Sequence, residues 1–313
     1  MYYKLLTKKI KFKNKNKYNN KNITNDILIE TLRFVAINYP FSTFPYILLG
    51  LNSKKSFKHF KSGNCISLSM AGQNYLKNNY NIISYLIPAS IPKIFQSPGY
   101  LHISHVALYI PQNKDKGYVL DFSFYFKEPI VVDFKNKDTI KCKMMNIYNG
   151  IEEDLQCNIN TFQKKNIFNE YQIMPKNTTF INTYYTKNPS DSWNYYLREI
   201  INPDKAITNF YINIKKYPFL CILDENYNFK LYIKFIDDQT FLIKEYQNTI
   251  FQGNLFELSF DILNKIKPII SQFFNYNILS FLNKFNPNKL LFFKDSKKTK
   301  KNKLKKNKKS KKR

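Results

Sequence analysis

The sequence is poor in the residues that build metal centres and disulfide frameworks. Its 313 residues include only 4 Cys and 3 His, together with 7 Gly and a single Trp. A structural zinc site typically needs two close pairs of Cys or His, and disulfide frameworks are typical of much smaller secreted chains. The cysteines here lie far apart in sequence, at Cys65, Cys142, Cys157 and Cys221. The sequence therefore predicts neither a metal site nor a disulfide framework.

The sequence also lacks long apolar segments. Residues 1–9 contain no apolar run of the kind found in secretory signals. The most apolar stretch, residues 39–51, is interrupted by Pro40 and Pro45 and is too short to span a bilayer. We therefore expect a soluble, cytoplasmic protein that does not bind a membrane.

Acidic residues are scarce, and the net charge is +28 at pH 7. Most of the excess lies at the two ends: residues 294–313 contain thirteen Lys or Arg against one Asp, and residues 1–21 contain eight Lys and no acid. Residues 22–293 carry only +8, so the charge does not by itself predict a nucleic-acid-binding core. We expect the two ends to be disordered arms, and the C-terminal run also fits a nuclear-localisation signal or a nonspecific nucleic-acid contact.

What the sequence does contain is ample material for a packed core, with 43% hydrophobic and 17% aromatic residues. The apolar pattern predicts an α+β fold, in which a helical N-terminal part packs on an antiparallel β-sheet or barrel. A β-rich part that ends in helices follows. We place the boundary between residues 22–150 and residues 151–293.

Apolar spacing assigns the individual elements. Helical spacing predicts helices over residues 24–38, 45–51, 66–76, 255–270 and 278–282. Alternation and β-branched or aromatic content predict strands over residues 82–87, 102–110, 117–124, 129–133, 139–147, 207–214, 219–223, 229–236 and 240–246. Residues 149–163 are too polar to assign.

Cys65 follows a glycine-containing turn and opens an apolar segment typical of a buried helix. Gly63 and Asn64 tolerate turn conformations, and the apolar residues of 66–76 recur at helical spacing. The start of a helix presents unpaired N–H groups and positive potential, which favour the nucleophilic thiolate. The sequence therefore predicts a reactive cysteine at the first turn of a helix.

Two alternating segments bring a histidine and an aspartate to one face of a sheet. His105 lies in the predicted strand 102–110, and Asp121 lies in the predicted strand 117–124. A hairpin centred on Asn113 would place the two directly opposite each other, with Cβ atoms about 4.5–5.5 Å apart. A shift of one residue would move them to opposite faces. We therefore predict that these two side chains lie side by side.

A cysteine, a histidine and an aspartate divide the work of acyl chemistry. The imidazole removes the thiol proton, the carboxylate fixes the imidazole tautomer, and the thiolate attacks an acyl carbon. Cys65, His105 and Asp121 are thus the candidate catalytic residues, and backbone N–H groups at the helix start, with Asn64, are candidates for holding the oxyanion. Each of the three alone also fits a structural role, as a small buried hydrophobe, a strand histidine or a turn acid. His59 is an alternative base, although it lies in a Lys-rich stretch without strand context.

The segments around these residues carry a further likeness. They read Tyr39-Pro40-Phe41, Gly63-Asn64-Cys65, His105-Val106-Ala107-Leu108-Tyr109, Tyr118-Val119-Leu120-Asp121 and Asp121-Phe122-Ser123-Phe124. They resemble the corresponding segments of the transglutaminase-like cysteine superfamily, and within it the layout is similar to that of arylamine N-acetyltransferases, which share the papain-like arrangement of Cys, His and Asp.

This resemblance implies a thiol acyltransferase that works through a thioester on Cys65. It implies no permanently bound cofactor, an acyl-CoA such as acetyl-CoA as co-substrate, and a small-molecule amine or a protein or peptide as the acyl substrate. A cysteine protease or amidohydrolase of the same fold is the closest enzymatic alternative, because the sequence does not distinguish water from an amine as acceptor. A catalytically degenerate structural protein that binds nucleic acid through its basic ends is the alternative from a different class.

Overall fold

Helices form most of the described chain before residue 81. This computed structural model describes residues 8–9, 23–49, 51–95, 104–136, 138–146, 150–161, 179–197, 199–201, 219–236, 240–254 and 257–271. Four helices stand in this first part: α1 (Asn25–Asn38), α2 (Phe44–Leu49), α3 (Ser53–Phe60) and α4 (Cys65–Tyr80). No helix among the described residues is long and apolar enough to cross a membrane.

Helix α1 confirms the prediction and helix α3 was not predicted. Thr24 begins α1 by accepting a hydrogen bond from the backbone N–H of Ile27. Asn52 begins α3 in the same way, through the backbone N–H of Lys55. Within α3 the buried residues are Ser53, Ser56 and Phe60. Because two of these are serines, the helix has no apolar periodicity that a sequence pattern could reveal.

The larger sheet is antiparallel and has eight strands in the order β6-β5-β4-β3-β10-β9-β8-β7. Its strands are β3 (Tyr85–Ala89), β4 (His105–Pro111), β5 (Lys116–Leu120), β6 (Ile130–Asp133), β7 (Ile140–Met145), β8 (Glu152–Thr161), β9 (Thr179–Tyr185) and β10 (Asn188–Tyr196). Strands β8 to β10 were not predicted.

The two edges of this sheet approach each other and nearly close it into a barrel. The segment that leads into β6 bridges to β7 through Phe126 and Met144. Backbone hydrogen bonds on either side of this bridge join Lys127 to Lys143 and Met145 to Tyr125, at 3.0 and 3.1 Å. This nearly closed shape lets the inward side chains of distant strands meet in one core.

The β4–β5 hairpin has a register two residues away from the predicted one. Leu108 lies opposite Leu120, and Ile110 lies opposite Tyr118. The reason is the turn, where the side chain of Asn113 accepts the backbone N–H groups of Asp115 and of Lys116, the first residue of β5, at 2.8 Å each. A shift of two residues preserves the face on which each side chain lies. The predicted strand 117–124 is too long, since β5 ends at Leu120.

A second, five-stranded sheet lies beside the barrel, in the order β15-β14-β13-β12-β2. It contains β2 (Phe41–Ser42), β12 (Phe219–Leu223), β13 (Phe229–Phe235), β14 (Thr240–Glu245) and β15 (Asn248–Asn254). Helix α5 (Phe260–Ser271) packs Ile266, Ile269 and Ile270 on one face of it. Tyr125 and Met145 of the barrel side pack on the other face. The predicted α+β architecture is therefore confirmed.

Several predictions about the ends and the domain division stay predictions. The predicted strand 207–214, the helix 278–282 and the tail 294–313 lie outside the described residues, as does the N-terminal arm apart from β1 (Lys8–Lys9), which pairs with β11 (Glu199–Ile200). The division at residue 150 also stays a prediction. Strands from both sides of it share the eight-stranded sheet.

Candidate active site

Cys65 is the first residue of helix α4, and the backbone before it is tied to the start of the five-stranded sheet. The N–H of Gly63 donates to the carbonyl of Pro40 at 3.3 Å, and the N–H of Ser42 donates to the carbonyl of Gly63 at 2.9 Å. A Cβ at Gly63 would collide with the hydroxyl groups of Tyr46 and Ser67, so this close approach requires glycine. Cys65 itself is buried, with 5% of the residue exposed.

Asn64 caps helix α4 through a side-chain oxygen that accepts four hydrogen bonds. Its Oδ1 accepts the backbone N–H groups of Ile66 and Ser67 at 3.1 and 3.3 Å. It also accepts the hydroxyl groups of Tyr46 and Ser53, each at 3.1 Å. The oxygen is therefore committed to ordering the helix start on which the cysteine sits.

Replacing Asn64 with alanine is expected to lower the free energy of unfolding by about 2–4 kcal/mol, because the substitution removes the cap and leaves two buried hydroxyl groups without this acceptor. Asn52→Ala is the matched control, since Asn52 caps α3 with a single bond to the N–H of Lys55. We expect this control to cost about 1 kcal/mol. Urea unfolding of both variants gives the two values, and equal costs would contradict the role assigned to Asn64.

Helix α4 lies directly on the strand that carries His105. The hydroxyl of Ser69 donates to the carbonyl of Val106 at 3.3 Å. One turn later, Gly72 faces the ring of Phe122, where a Cβ would collide with the ring. These two contacts bring the start of the helix, the start of β4 and the end of β5 together.

His105 and Asp121 form a buried hydrogen-bonded pair. The distance from His105 Nε2 to Asp121 Oδ2 is 2.6 Å, and the two residues are 3% and 0% exposed. Asp121 Oδ1 accepts the backbone N–H groups of Ser123 and Phe124 at 3.0 and 3.3 Å. These two bonds end β5 in a tight turn and aim the second carboxylate oxygen at the imidazole.

A tyrosine completes the coordination of Asp121. The hydroxyl of Tyr195 donates to Asp121 Oδ2 at 2.7 Å, and it accepts the indole N–H of Trp193 at 2.8 Å. Tyr195 lies opposite Ala89 across β10 and β3, and Ala89 lies opposite His105 across β3 and β4. The tyrosine, the histidine and the carboxylate therefore stand in neighbouring positions on one face of the barrel wall.

His105 is predisposed to be charged at neutral pH. Burial alone would lower its pKa, but the charge and hydrogen bond of Asp121, followed by those of Cys65, raise the pKa to about 10. Because Nε2 is hydrogen-bonded to Asp121, Nδ1 is the ring nitrogen left to interact with the Cys65 thiol. The structure thus brings together the three residues singled out in the sequence, in the order thiol, imidazole, carboxylate. The imidazole therefore lies between the thiol and the carboxylate, which is the order that thiol catalysis requires.

Neither of the other two histidines is placed in this site by the structure. His59 is exposed on α3. His102 lies outside the described residues. Across the described part of the chain, no group of three His, Cys, Asp or Glu residues is placed to hold a metal ion.

The sequence pattern did not identify Tyr195 and Trp193 as members of this site. The signal that was available is the alternation of large aromatic residues in Trp193-Asn194-Tyr195, which contains the single Trp of the chain. Alternation puts both rings on one strand face. It does not show which strand lies beside them, and that pairing decides their function.

Cys65 is expected to react with iodoacetamide at neutral pH faster than the other three cysteines by at least about tenfold. All four are free thiols, so each one can be followed by mass spectrometry of labelled peptides. Burial raises the pKa of Cys221 to about 12, and the hydrogen bond that joins Cys142 to Cys157, followed by burial, raises the pKa of Cys142. Cys65 instead faces an imidazolium. Equal labelling of Cys65 and Cys221 in the folded protein would contradict this description.

Comparison with known proteins yields structural but no sequence matches. No protein-family model and no curated protein matches the sequence. Arylamine N-acetyltransferase C from Bacillus anthracis matches the fold with a TM-score of 0.51 and 14% identity, over 81% of this chain and 95% of that one. An arylamine N-acetyltransferase from Bacillus cereus, described as having a unique Cys-His-Glu catalytic triad, matches with a TM-score of 0.50 and 11% identity, over 78% of this chain and 89% of that one.

The chain has the arylamine N-acetyltransferase fold. Each match spans most of this chain and most of the neighbour. At identities of 11% and 14% it is a likeness of fold. The resemblance stated from the sequence segments is confirmed at this level. Within the arylamine N-acetyltransferase fold of this chain, the carboxylate beside the histidine comes from Asp121.

Proposed function

We propose that this protein is a cysteine-dependent acyltransferase in which Cys65 is the nucleophile, His105 the general acid and base, and Asp121 the residue that orients His105. The observation that carries the proposal is the buried hydrogen bond between His105 and Asp121, together with a Cys65 thiol close enough to the same imidazole to raise its pKa. Each of the three residues meets a requirement of thiol catalysis: a nucleophile at a helix start, a base within hydrogen-bond reach, and a carboxylate that fixes the base.

The first half-reaction would load the acyl group onto the thiol. The Cys65 thiolate attacks the carbonyl carbon of an acyl thioester, and the positive potential at the start of α4 stabilises the negative charge that develops there. The His105 imidazolium then gives its proton to the departing thiolate of the donor. Asp121 holds the imidazole through Nε2, so that Nδ1 exchanges the proton.

The second half-reaction would transfer the acyl group to an acceptor. Neutral His105 removes a proton from the attacking amine, and the tetrahedral adduct collapses to release the amide and restore the thiolate. This cycle needs no bound cofactor, because the acyl donor enters and leaves as a substrate. With water as the acceptor, the same residues would hydrolyse the thioester instead.

We propose an acyl-CoA as donor and an aromatic amine as acceptor. The two structural neighbours named above are arylamine N-acetyltransferases, which supports both substrates. An aromatic cluster also adjoins the imidazole: the ring of Phe124 lies 4.7 Å from that of His105, and Phe95 and Trp193 lie 5.9 and 5.8 Å from Phe124, between centroids. An aromatic acceptor would find ring partners here.

These substrates are small and water-soluble, and they fit a cytoplasmic enzyme. The nuclear or nucleic-acid role of residues 294–313 stays a prediction, since that segment lies outside the described residues.

Mass spectrometry of the protein after incubation with acetyl-CoA tests the proposal. We expect an acetyl group on the peptide that contains Cys65 and none on the peptides that contain Cys142, Cys157 or Cys221. Addition of an aromatic amine should then discharge the adduct and yield the acetylated amine. A peptide thioester run in parallel distinguishes an acyl-CoA-dependent enzyme from a protease of the same fold. The absence of any adduct on Cys65 with either donor would refute the proposal.

A further inference from the structure

The barrel core contains a second group of nucleophilic side chains that the proposed acyl chemistry does not use. Cys142 on β7 and Cys157 on β8 have their Sγ atoms 3.4 Å apart. They are 3% and 0% exposed, and both are free thiols. Cys142 lies opposite Leu155, and Cys157 lies opposite Ile140, so the two cysteines are diagonal neighbours across an antiparallel pair. The wide spacing of cysteines in the sequence gave no indication of this pair.

Cys157 also belongs to a row of inward-facing side chains that leads to the candidate active site. It lies opposite Thr183 on β9, which lies opposite Trp193 on β10. The Cys157 Sγ is 3.4 Å from the Thr183 Oγ1, and the Trp193 indole donates to the Tyr195 hydroxyl. That hydroxyl in turn donates to Asp121. Packed residues and hydrogen bonds therefore connect the dithiol to the carboxylate.

We propose that Cys142 and Cys157 are a redox-active dithiol that closes to an intramolecular disulfide and thereby alters the packing of Trp193. Closure requires the sulfur atoms to approach from 3.4 Å to roughly 2.05 Å. Because diagonal neighbours on antiparallel strands lie roughly 7–8 Å apart, closure also requires the two strands to shift. As Cys157 turns toward Cys142, it withdraws from Thr183, and the row that supports Trp193 and Tyr195 has to adjust.

Hydrogen peroxide is a sufficient oxidant for the reaction. One thiol is oxidised to a sulfenic acid as the peroxide O–O bond breaks and one water leaves. The second thiol then attacks that sulfur, the S–S bond forms, and a second water leaves. In total the two thiols lose two electrons and two protons, and one peroxide is reduced to two waters.

The closure is expected to be slow. Both sulfur atoms are buried, and the pKa of Cys142 is raised by the hydrogen bond with Cys157 and by burial, so little thiolate is present at neutral pH. The dithiol should accordingly respond to sustained rather than brief oxidation, which sets the exposure time of the test.

The test uses the full-length Cys65→Ala variant, because removal of the site thiol prevents competing oxidation there and makes the result independent of acyl transfer. The variant is exposed to excess hydrogen peroxide for a day and digested without reduction. We expect a peptide in which Cys142 is linked to Cys157, and the loss of two of the three remaining thiols. A dithiol reductant should restore both. Cys221→Ala in the same background should form the same link, whereas Cys142→Ala should not.

Intrinsic fluorescence provides the second readout, because Trp193 is the single tryptophan of the chain. We expect its emission to change on oxidation and to recover on reduction, and to stay constant in the variant with Cys142→Ala. If Cys142→Ala fails to fold, Cys157→Ala serves in its place. Retention of all three thiols, or a disulfide to Cys221, would contradict the proposal that Cys142 and Cys157 form a redox-active dithiol. A Cys142–Cys157 link with constant emission would overturn its connection to Trp193.

Discussion

Cys65→Ala is expected to lower the rate of acetyl transfer from acetyl-CoA to an aromatic amine by about 10⁴-fold or more. The substitution removes the atom that forms the thioester. Any remaining rate acceleration would come only from binding the two substrates next to each other. The fold should survive, because alanine fits the space of a small, buried side chain at the first turn of α4 and the cap at Asn64 is unchanged. Steady-state rates and the circular dichroism spectrum of the variant measure both quantities.

Cys221→Ala is the matched control for this experiment. Cys221 is also buried, but it lies on β12 in the second sheet, where its neighbours are Tyr125 and Phe219. We expect its rate to stay within about twofold of the parent rate, with a modest loss of stability from the deleted sulfur atom. Acetyl transfer by Cys65→Ala at more than a tenth of the parent rate would exclude the thioester mechanism.

The sequence predicted the helices that are defined by their own apolar periodicity and capping residues. Helix α1 was found because its apolar residues are periodic and Thr24 caps it, and α4 because Gly63 and Asn64 precede an apolar run. Strand β8 was missed because most of its residues are polar or charged, although Leu155 and Ile159 are buried at alternate positions. The buried residues of β8 do alternate with less buried ones, but the polar side chains between them hid the apolar pattern of a strand.

The site was predicted to the extent that it depends on one helix start and one hairpin. The predicted register was wrong by two residues because the Asn113 side chain sets the turn. The even size of the shift nonetheless kept His105 and Asp121 on one face. The sequence could not predict the place of Tyr195, because that place depends on the pairing of β10 with β3, two strands far apart in sequence. Neither strand alone indicates that pairing.

Asp121→Asn is expected to reduce acetyl transfer by about 10³–10⁴-fold while leaving the side-chain shape nearly unchanged. Both oxygens of Asp121 accept two hydrogen bonds each, from two backbone N–H groups at Oδ1 and from His105 and Tyr195 at Oδ2. The amide of asparagine has one NH₂ group, which cannot accept hydrogen bonds and must take the place of one carboxylate oxygen. At the Oδ1 position the NH₂ group would face the two backbone N–H donors and could accept neither. At the Oδ2 position it can donate to His105 Nε2, which forces the proton onto Nδ1, so the nitrogen that faces Cys65 can no longer act as a base.

The pH dependence of stability provides the decisive comparison. In the parent protein the folded-state pKa of His105 is about 10, above its ordinary value of 6.5. The stabilisation from the His105–Asp121 pair is therefore fully present below about pH 6.5 and is lost as the pH rises toward about 10. We expect Asp121→Asn to lower the free energy of unfolding by about 3 kcal/mol near pH 6.5, because a buried charge loses its partner, and by progressively less toward pH 10.

Asp133→Asn is the control for this last prediction. Asp133 Oδ1 likewise accepts the N–H groups two and three residues later, but its carboxylate is partly exposed beside Lys116 and has no histidine partner among the described residues. Its substitution should leave acetyl transfer unchanged and lower the free energy of unfolding far less than Asp121→Asn does. If Asp121→Asn and Asp133→Asn had the same rate and the same pH profile of stability, Asp121 would not orient His105. A loss confined to Asp121→Asn that shrinks as the pH rises would instead identify the buried pair as the element that keeps the Cys65-facing nitrogen of His105 ready to exchange a proton.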